Sequence, residues 1–195
     1  MKGINSENLI QDLKDITLAN KQFAEKKLIH LNDTQKSWRP AVDSWNLTEI
    51  LAHLNAYASF YNKTFQNRIS KTKFTRTKEQ FVSSPLGRSA WKSMKLGRAK
   101  NIKRKFKSPK NHNPTIDPSL VKGDEVNTFI ENQEIMIGIL DLSETVNLRR
   151  VKIPISISRI VRLRLGDALK FVIYHNERHI QQAMNLMAHP KFPKK

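Results

Sequence analysis

His175 and His179 stand four residues apart in the stretch FVIYHNERHIQQAMNLM, Phe171 to Met187. In a helix, side chains at that spacing are stacked neighbours, roughly 5 to 6 Å apart at Cβ, so both imidazoles can face one divalent ion. An ion of the zinc type that keeps one position open to water or substrate takes three protein ligands. The chain has no cysteine, which excludes disulfides, thiolate ligands and a cysteine nucleophile and leaves His, Asp or Glu for the third ligand. Glu177 is close in sequence, but two residues from each histidine places it on the opposite helix face, where a surface or interface role is expected rather than that of a general base.

The third histidine comes from SWNLTEILAHLNAYASFYNKTF. Asn46 followed by Glu49 forms a capping box that satisfies free backbone donors at a helix start, and Trp45 just before it can staple onto Ile50. The apolar stripe of this helix runs Ile50, His53, Leu54, Tyr57, Tyr61, so His53 lies on the buried side. A histidine there is either a core residue hydrogen-bonded to a neighbour or a ligand. The helix carrying His175 and His179 starts near Gly166 or Asp167. One of its stripes is Leu165, Ala168, Val172, His175, His179, Ala183, Leu186, and an adjacent one is Leu169, Ile173, Ile180, Met184, Met187. Both histidines thus face inward and can converge with His53. The competing reading is a polar core layer in which they bond internally. Asn55, Tyr57, Tyr61, Asn176 and Gln182 are candidates for contacts around such a site. His30, His112 and His189 fall at a helix end, in a loop and in the tail, and read as surface residues.

Two further helices complete the pattern. The first spans about 6 to 31, capped by Ser6, with apolar positions Leu9, Leu13, Ile16, Ala19 and Phe23 and, after a slip, Leu28 and Leu31. The third runs from Pro118 or Gly123 to Leu142, with Val126, Phe129, Ile130, Ile137 and Leu140 on one side and Glu125, Asn132 and Glu134 on the other. Residues 32–43 read as a loop with Trp38 tucked against something. The alternation Val151, Ile153, Ile155, Ile157 around Pro154 reads as an extended crossover or edge strand, and the tail HPKFPKK as frayed. The expected architecture is all-α: a four-helix bundle in one domain, 1–195, with a long basic insertion at about 70–123 between helices two and three.

That insertion holds most of the excess charge. The net charge is +18; residues 71–110 carry fourteen basic residues against one acid, Glu79. A second cluster comprises Arg149, Arg150, Lys152, Arg159, Arg162 and Arg164. Such a balance suits an anionic partner, and the alternative to an enzyme is a non-catalytic module docking this segment on nucleic acid or another polyanion. Around Trp91, Met94 and Leu96 the segment has helical potential, while KSPKNHNPTIDPS is loop. No run of about 18 apolar residues occurs, and the polar start lacks a signal-peptide core, so a soluble cytoplasmic protein without membrane contact is expected.

WNLTEILAHL, with its tryptophan, capping carboxylate and following histidine, together with HNERHIQQ, resembles the DinB (damage-inducible) superfamily over most of the chain. The resemblance implies an up-down-down-up four-helix bundle with a divalent metal, zinc or nickel, on three histidines matching His53, His175 and His179. It implies the activities of characterised members, thiol-dependent S-transferases and isomerases that use low-molecular-weight thiols, and pairing as a homodimer. A site of neutral histidines can bring bound water toward a pKa of roughly 7 or ionise a thiol, which fits an S-transferase or hydrolase-like reaction on a small, anionic substrate.

Overall fold

The computed structural model describes residues 3–97 and 108–194, with only the backbone of Arg159. Of the basic residues singled out above, Arg98, Lys100, Lys103, Arg104, Lys105 and Lys107 lie outside the described residues, as does the side chain of Arg159.

The first helix, α1 (Ser6–Phe23), is capped by Asn5 rather than Ser6: the Asn5 side chain accepts from the amide of Asn8, while Ser6 Oγ donates to the carbonyl of Lys78 at 2.7 Å. At Ala24–Leu28 the helix widens into a π-helical turn, with the Ile29 amide reaching back five residues to the Ala24 carbonyl at 3.0 Å. This accounts for the slip in the apolar period after Phe23. The extra residue per turn returns Leu28 and Leu31 to the buried side.

The segment read as a loop contains a short helix, α2 (Asp33–Ser37), started by a capping box between Asn32 and Gln35. The long helix α3 (Leu47–Ser70) has the expected box, Asn46 with Glu49. Within the basic connection, Ser84 caps α4 (Pro85–Met94), and Pro85 sits in the first turn where its missing N–H costs nothing. In α5 (Glu125–Ser143) the inward positions are Val126, Phe129, Gln133, Met136, Ile139 and Leu140. Glu125, expected on the wet side, is buried because its carboxylate accepts the backbone amides of Lys122 and Gly123.

The crossover is a two-stranded antiparallel hairpin, β3 (Lys152–Ile155) with β4 (Ser158–Arg164). Two such strands are both edges, so Pro154 is tolerated. Its inward residues Ile153 and Leu163 join the core. A minimal second pair links β1 (Ile4–Asn5) to β2 (Gln80–Phe81). Helix α6 (Leu165–Met187) starts without a side-chain cap. Asp167 does not cap it; one carboxylate oxygen of Asp167 instead accepts both the amide and the hydroxyl of Ser84, which docks α4 on α6. Nor is the tail frayed through its described length. Trp38 packs on His189 and Phe192 at 5.2 and 5.6 Å, and Gln35 donates to the Pro193 carbonyl.

The protein is mostly helical, with six α-helices among the described residues. Of the long ones, α3 packs on α5 and α6, and α1 packs on the same two. No helix among the described residues is long and apolar enough to cross a membrane. The apolar core divides in two. One cluster takes in Leu9 to Leu13, Tyr57 to Ile69, Met136 to Leu140, the hairpin and Leu165 to Tyr174; the other takes in Ala24 to Leu31, Leu47 to Leu54, Val126, Phe129 and Ile180 to Leu186. Between them every long helix places buried polar residues: Thr17 and Asn20 on α1, His53 on α3, Gln133 on α5, and His175 and Asn176 on α6.

Candidate metal centre

His53, His175 and His179 meet in this polar layer, brought there by the inward faces of α3 and α6. One nitrogen from each ring can be chosen so that all three lie within 4.8 Å of one another, and Nε2 of His53 is 3.2 Å from Nε2 of His175. Two nitrogens about 2.0 to 2.1 Å from one tetrahedrally coordinated ion stand slightly more than 3 Å apart, so the spacing suits ligands of one cation. His53 and His175 are buried and His179 is half-buried.

The second nitrogen of each ring decides what the first can do. Nδ1 of His53 lies 2.5 Å from the backbone carbonyl of His112. A carbonyl only accepts, so Nδ1 carries the proton and Nε2 presents a lone pair. Nδ1 of His179 likewise faces Gln182 Oε1 at 2.9 Å, leaving its Nε2 unprotonated. Such outer hydrogen bonds fix tautomer and ring direction in histidine metal sites. Nδ1 of His175 is buried without a partner.

Electrostatics keep all of these rings neutral. Burial pushes the His53 imidazole down to about 4, partly opposed by its bond to the His112 carbonyl. His175 is held well below the usual histidine range by burial and by the neighbouring His179 and His53, and His179 by burial and His53. A neutral imidazole is the form that ligates, and three of them clustered out of water form a donor set that suits zinc or a late first-row ion.

The surroundings are aromatic. Trp45 packs on His53 at 4.9 Å and on His179 at 6.1 Å, with its indole N–H donating to Thr115 Oγ1. Beyond packing on the apolar cluster that includes Ile50, it walls the histidine cluster. Tyr57 lies 4.5 Å from His175 and 5.0 Å from His53, and burial raises its hydroxyl to about 12, which keeps it protonated.

His112 is not a surface residue. It is buried, its carbonyl orients His53, its ring packs at a tilt on Tyr57 at 4.2 Å, and both ring nitrogens lack partners. Ser108 Oγ donates to the same carbonyl at 3.1 Å. Nothing in the run Lys110–Asn113 distinguishes this histidine from a solvated loop residue, because what it supplies to His53 is a backbone group.

The remaining candidates have partners within the fold. Asn55 donates to the Glu125 carbonyl and accepts from Asn132, tying α3 to α5. Asn176 faces Gln133 at 3.5 Å, Tyr61 accepts from the Ser156 amide, and Glu177 is half-buried on α6. A cavity of about 350 Å³ bordered by Leu31, Ser37, Leu51 and Asp124 includes none of the three histidines.

Compared with known proteins, residues 26–183 match the family model of the DinB superfamily. No curated protein and no solved structure matches the chain.

Proposed function

The chain belongs to the DinB superfamily, and from that premise we propose that it is a metal-dependent protein in which His53, His175 and His179 hold one divalent ion, zinc or nickel, at the junction of the two apolar clusters. The long helices then form the up-down-down-up bundle of the family. The observation that carries the reading is the pair of fixed tautomers: His112 O and Gln182 Oε1 each take an Nδ1 proton, so His53 and His179 offer Nε2 lone pairs beside His175.

A cation on three neutral ligands keeps its full charge and favours the ionised form of a thiol or water that reaches it. What the protein does follows from its own groups. His53, His175 and His179 stay deprotonated at neutral pH because they are buried. Trp45 and Tyr57 pack against the histidine rings from two sides. Among the described residues no carboxylate joins the three histidines at ligand distance. A thiol, whose ordinary pKa lies near 8.5, needs far less help to ionise than water. The favoured reaction class is transfer involving a low-molecular-weight thiol on a small substrate.

Cobalt-substituted protein tests this. Addition of millimolar low-molecular-weight thiol is expected to produce a sulfur-to-metal absorption that is lost in His175→Ala. A cobalt spectrum indifferent to thiol while responsive to pH would replace thiol transfer with water chemistry.

A further inference from the structure

A second site is built where the two basic clusters of the sequence meet. Lys78, from the start of the basic connection, lines an open recess of about 590 Å³ with Arg149, Arg150, Lys152, Arg164 and Asn147. The site is independent of the histidines: the recess abuts the start of α6, and ten helical residues from Leu165 to His175 correspond to roughly 15 Å.

Three features distinguish it from an ordinary solvated face. First, like charges are held together. Lys152 and Arg164 are direct cross-strand partners in the hairpin, a pairing that destabilises a sheet unless something lies between the charges. Burial together with Arg164 and Arg149 holds the Lys152 ammonium below the usual lysine range. Second, compensation is weak: Asp167 favours the Lys152 ammonium, but burial and Arg164 outweigh it. Among the described residues none of the five cations has a carboxylate at ion-pair distance, and one oxygen of the nearby Asp167 is occupied by Ser84. Third, the walls are fixed. Buried Asn147 accepts the amides of Arg149 and Arg150 and donates to the Arg76 carbonyl, and its own amide donates to the Phe74 carbonyl. The guanidinium of Arg150 lies over the Phe74 ring at 4.3 Å, and Arg164 Nη1 donates to the Val82 carbonyl.

We propose that this recess binds a compact polyphosphate anion. Arginine forks suit phosphate oxygens geometrically. One phosphate group carries only about two charges, so five cations in one recess call for several linked phosphates. The volume is that of a small-ligand site. No aromatic ring lines the recess, and that of Phe74 is covered by Arg150, so a base-stacking platform is missing and recognition is of the phosphates.

The test is calorimetric titration of the full chain with sodium tripolyphosphate at physiological ionic strength. The variants are Arg149→Glu with Lys152→Glu, the milder Arg149→Gln with Lys152→Gln, and Lys63→Glu as a control on an exposed face of α3, each checked for folding by circular dichroism. The expected result is binding in the micromolar range, weakened at least about tenfold in both double variants and unchanged by Lys63→Glu. No binding by wild type, or equal weakening by the control, overturns the proposal. So does duplex DNA that binds the same variants differentially while tripolyphosphate fails to compete with it, since the surface would then be a nucleic-acid interface.

Discussion

His179 is aimed by one hydrogen bond, Nδ1 to Gln182 Oε1 at 2.9 Å, three residues further along the same helix. Removing it in Gln182→Ala frees the ring and its tautomer, and zinc affinity is expected to fall by about ten- to a hundredfold, measured by competition with a chelating dye; an unchanged affinity would show that Gln182 does not position the ligand. The buried rings also set a pH dependence. Their folded-state pKa values lie below the unfolded value near 6.5, so the unfolded chain binds more protons in acid. Stability of the metal-stripped protein is therefore fully present above about pH 6.5 and lost as the pH falls toward 4, by roughly 2 kcal/mol at about pH 5 from His53 alone. Urea denaturation at the two pH values measures this; equal stability at both contradicts neutral burial of these rings. At this scale much was legible in the sequence. Spacing announced His175 and His179, and the apolar stripe of α3 announced His53. His112 escaped because its contribution is a carbonyl, which every residue possesses, and Trp45 because a position next to a cap does not reveal which neighbour its ring will meet.

The elements explain why the histidines lie where they do. On α6 one apolar cluster ends at Tyr174 and the other begins at Ile180, with His175 and His179 between; on α3 the change falls between Leu54 and Tyr57, within a turn of His53. Thr17 and Asn20 interrupt α1 at the same level, and the π-helical turn follows directly. Helix existence and inward faces were readable from periodicity, including the slip that marks the π turn. What escaped were features set by distant partners. Asp167 looks like an N-cap, yet it receives Ser84 from 83 residues away, and α2 was hidden in a polar stretch whose capping box is its only local signal. The α4–α6 contact leaves no room at Gly87, where an added Cβ would stand 2.2 Å from the Asp167 carboxylate. Gly87→Ala is expected to cost about 1 to 3 kcal/mol, seen as a melting temperature lower by several degrees. A melt identical to wild type would mean that α4 is not docked through Asp167.

At the scale of the whole molecule, the net charge of +18 opposes compaction, and ion pairs such as Lys14 with Asp141 and Glu144 offset little of it. Raising salt from low to physiological concentration screens this repulsion, so the melting temperature is expected to rise by a few degrees; a fall would show that exposed ion pairs outweigh the excess charge. Composition made the charge obvious, but not that Lys78 and Arg149 share one recess, because that depends on Asn147 holding two loops together. The two apolar clusters enclose a polar layer, and in it three neutral imidazoles bring one nitrogen each to within 4.8 Å of one another, close enough for a single cation to hold them together. The most direct measurement is elemental analysis of the purified chain after exposure to zinc or nickel and exhaustive dialysis. One metal ion per chain is expected in wild type and almost none in His53→Ala or His175→Ala folded variants; wild type without stoichiometric metal, or variants that retain it, would contradict a metal centre on these histidines.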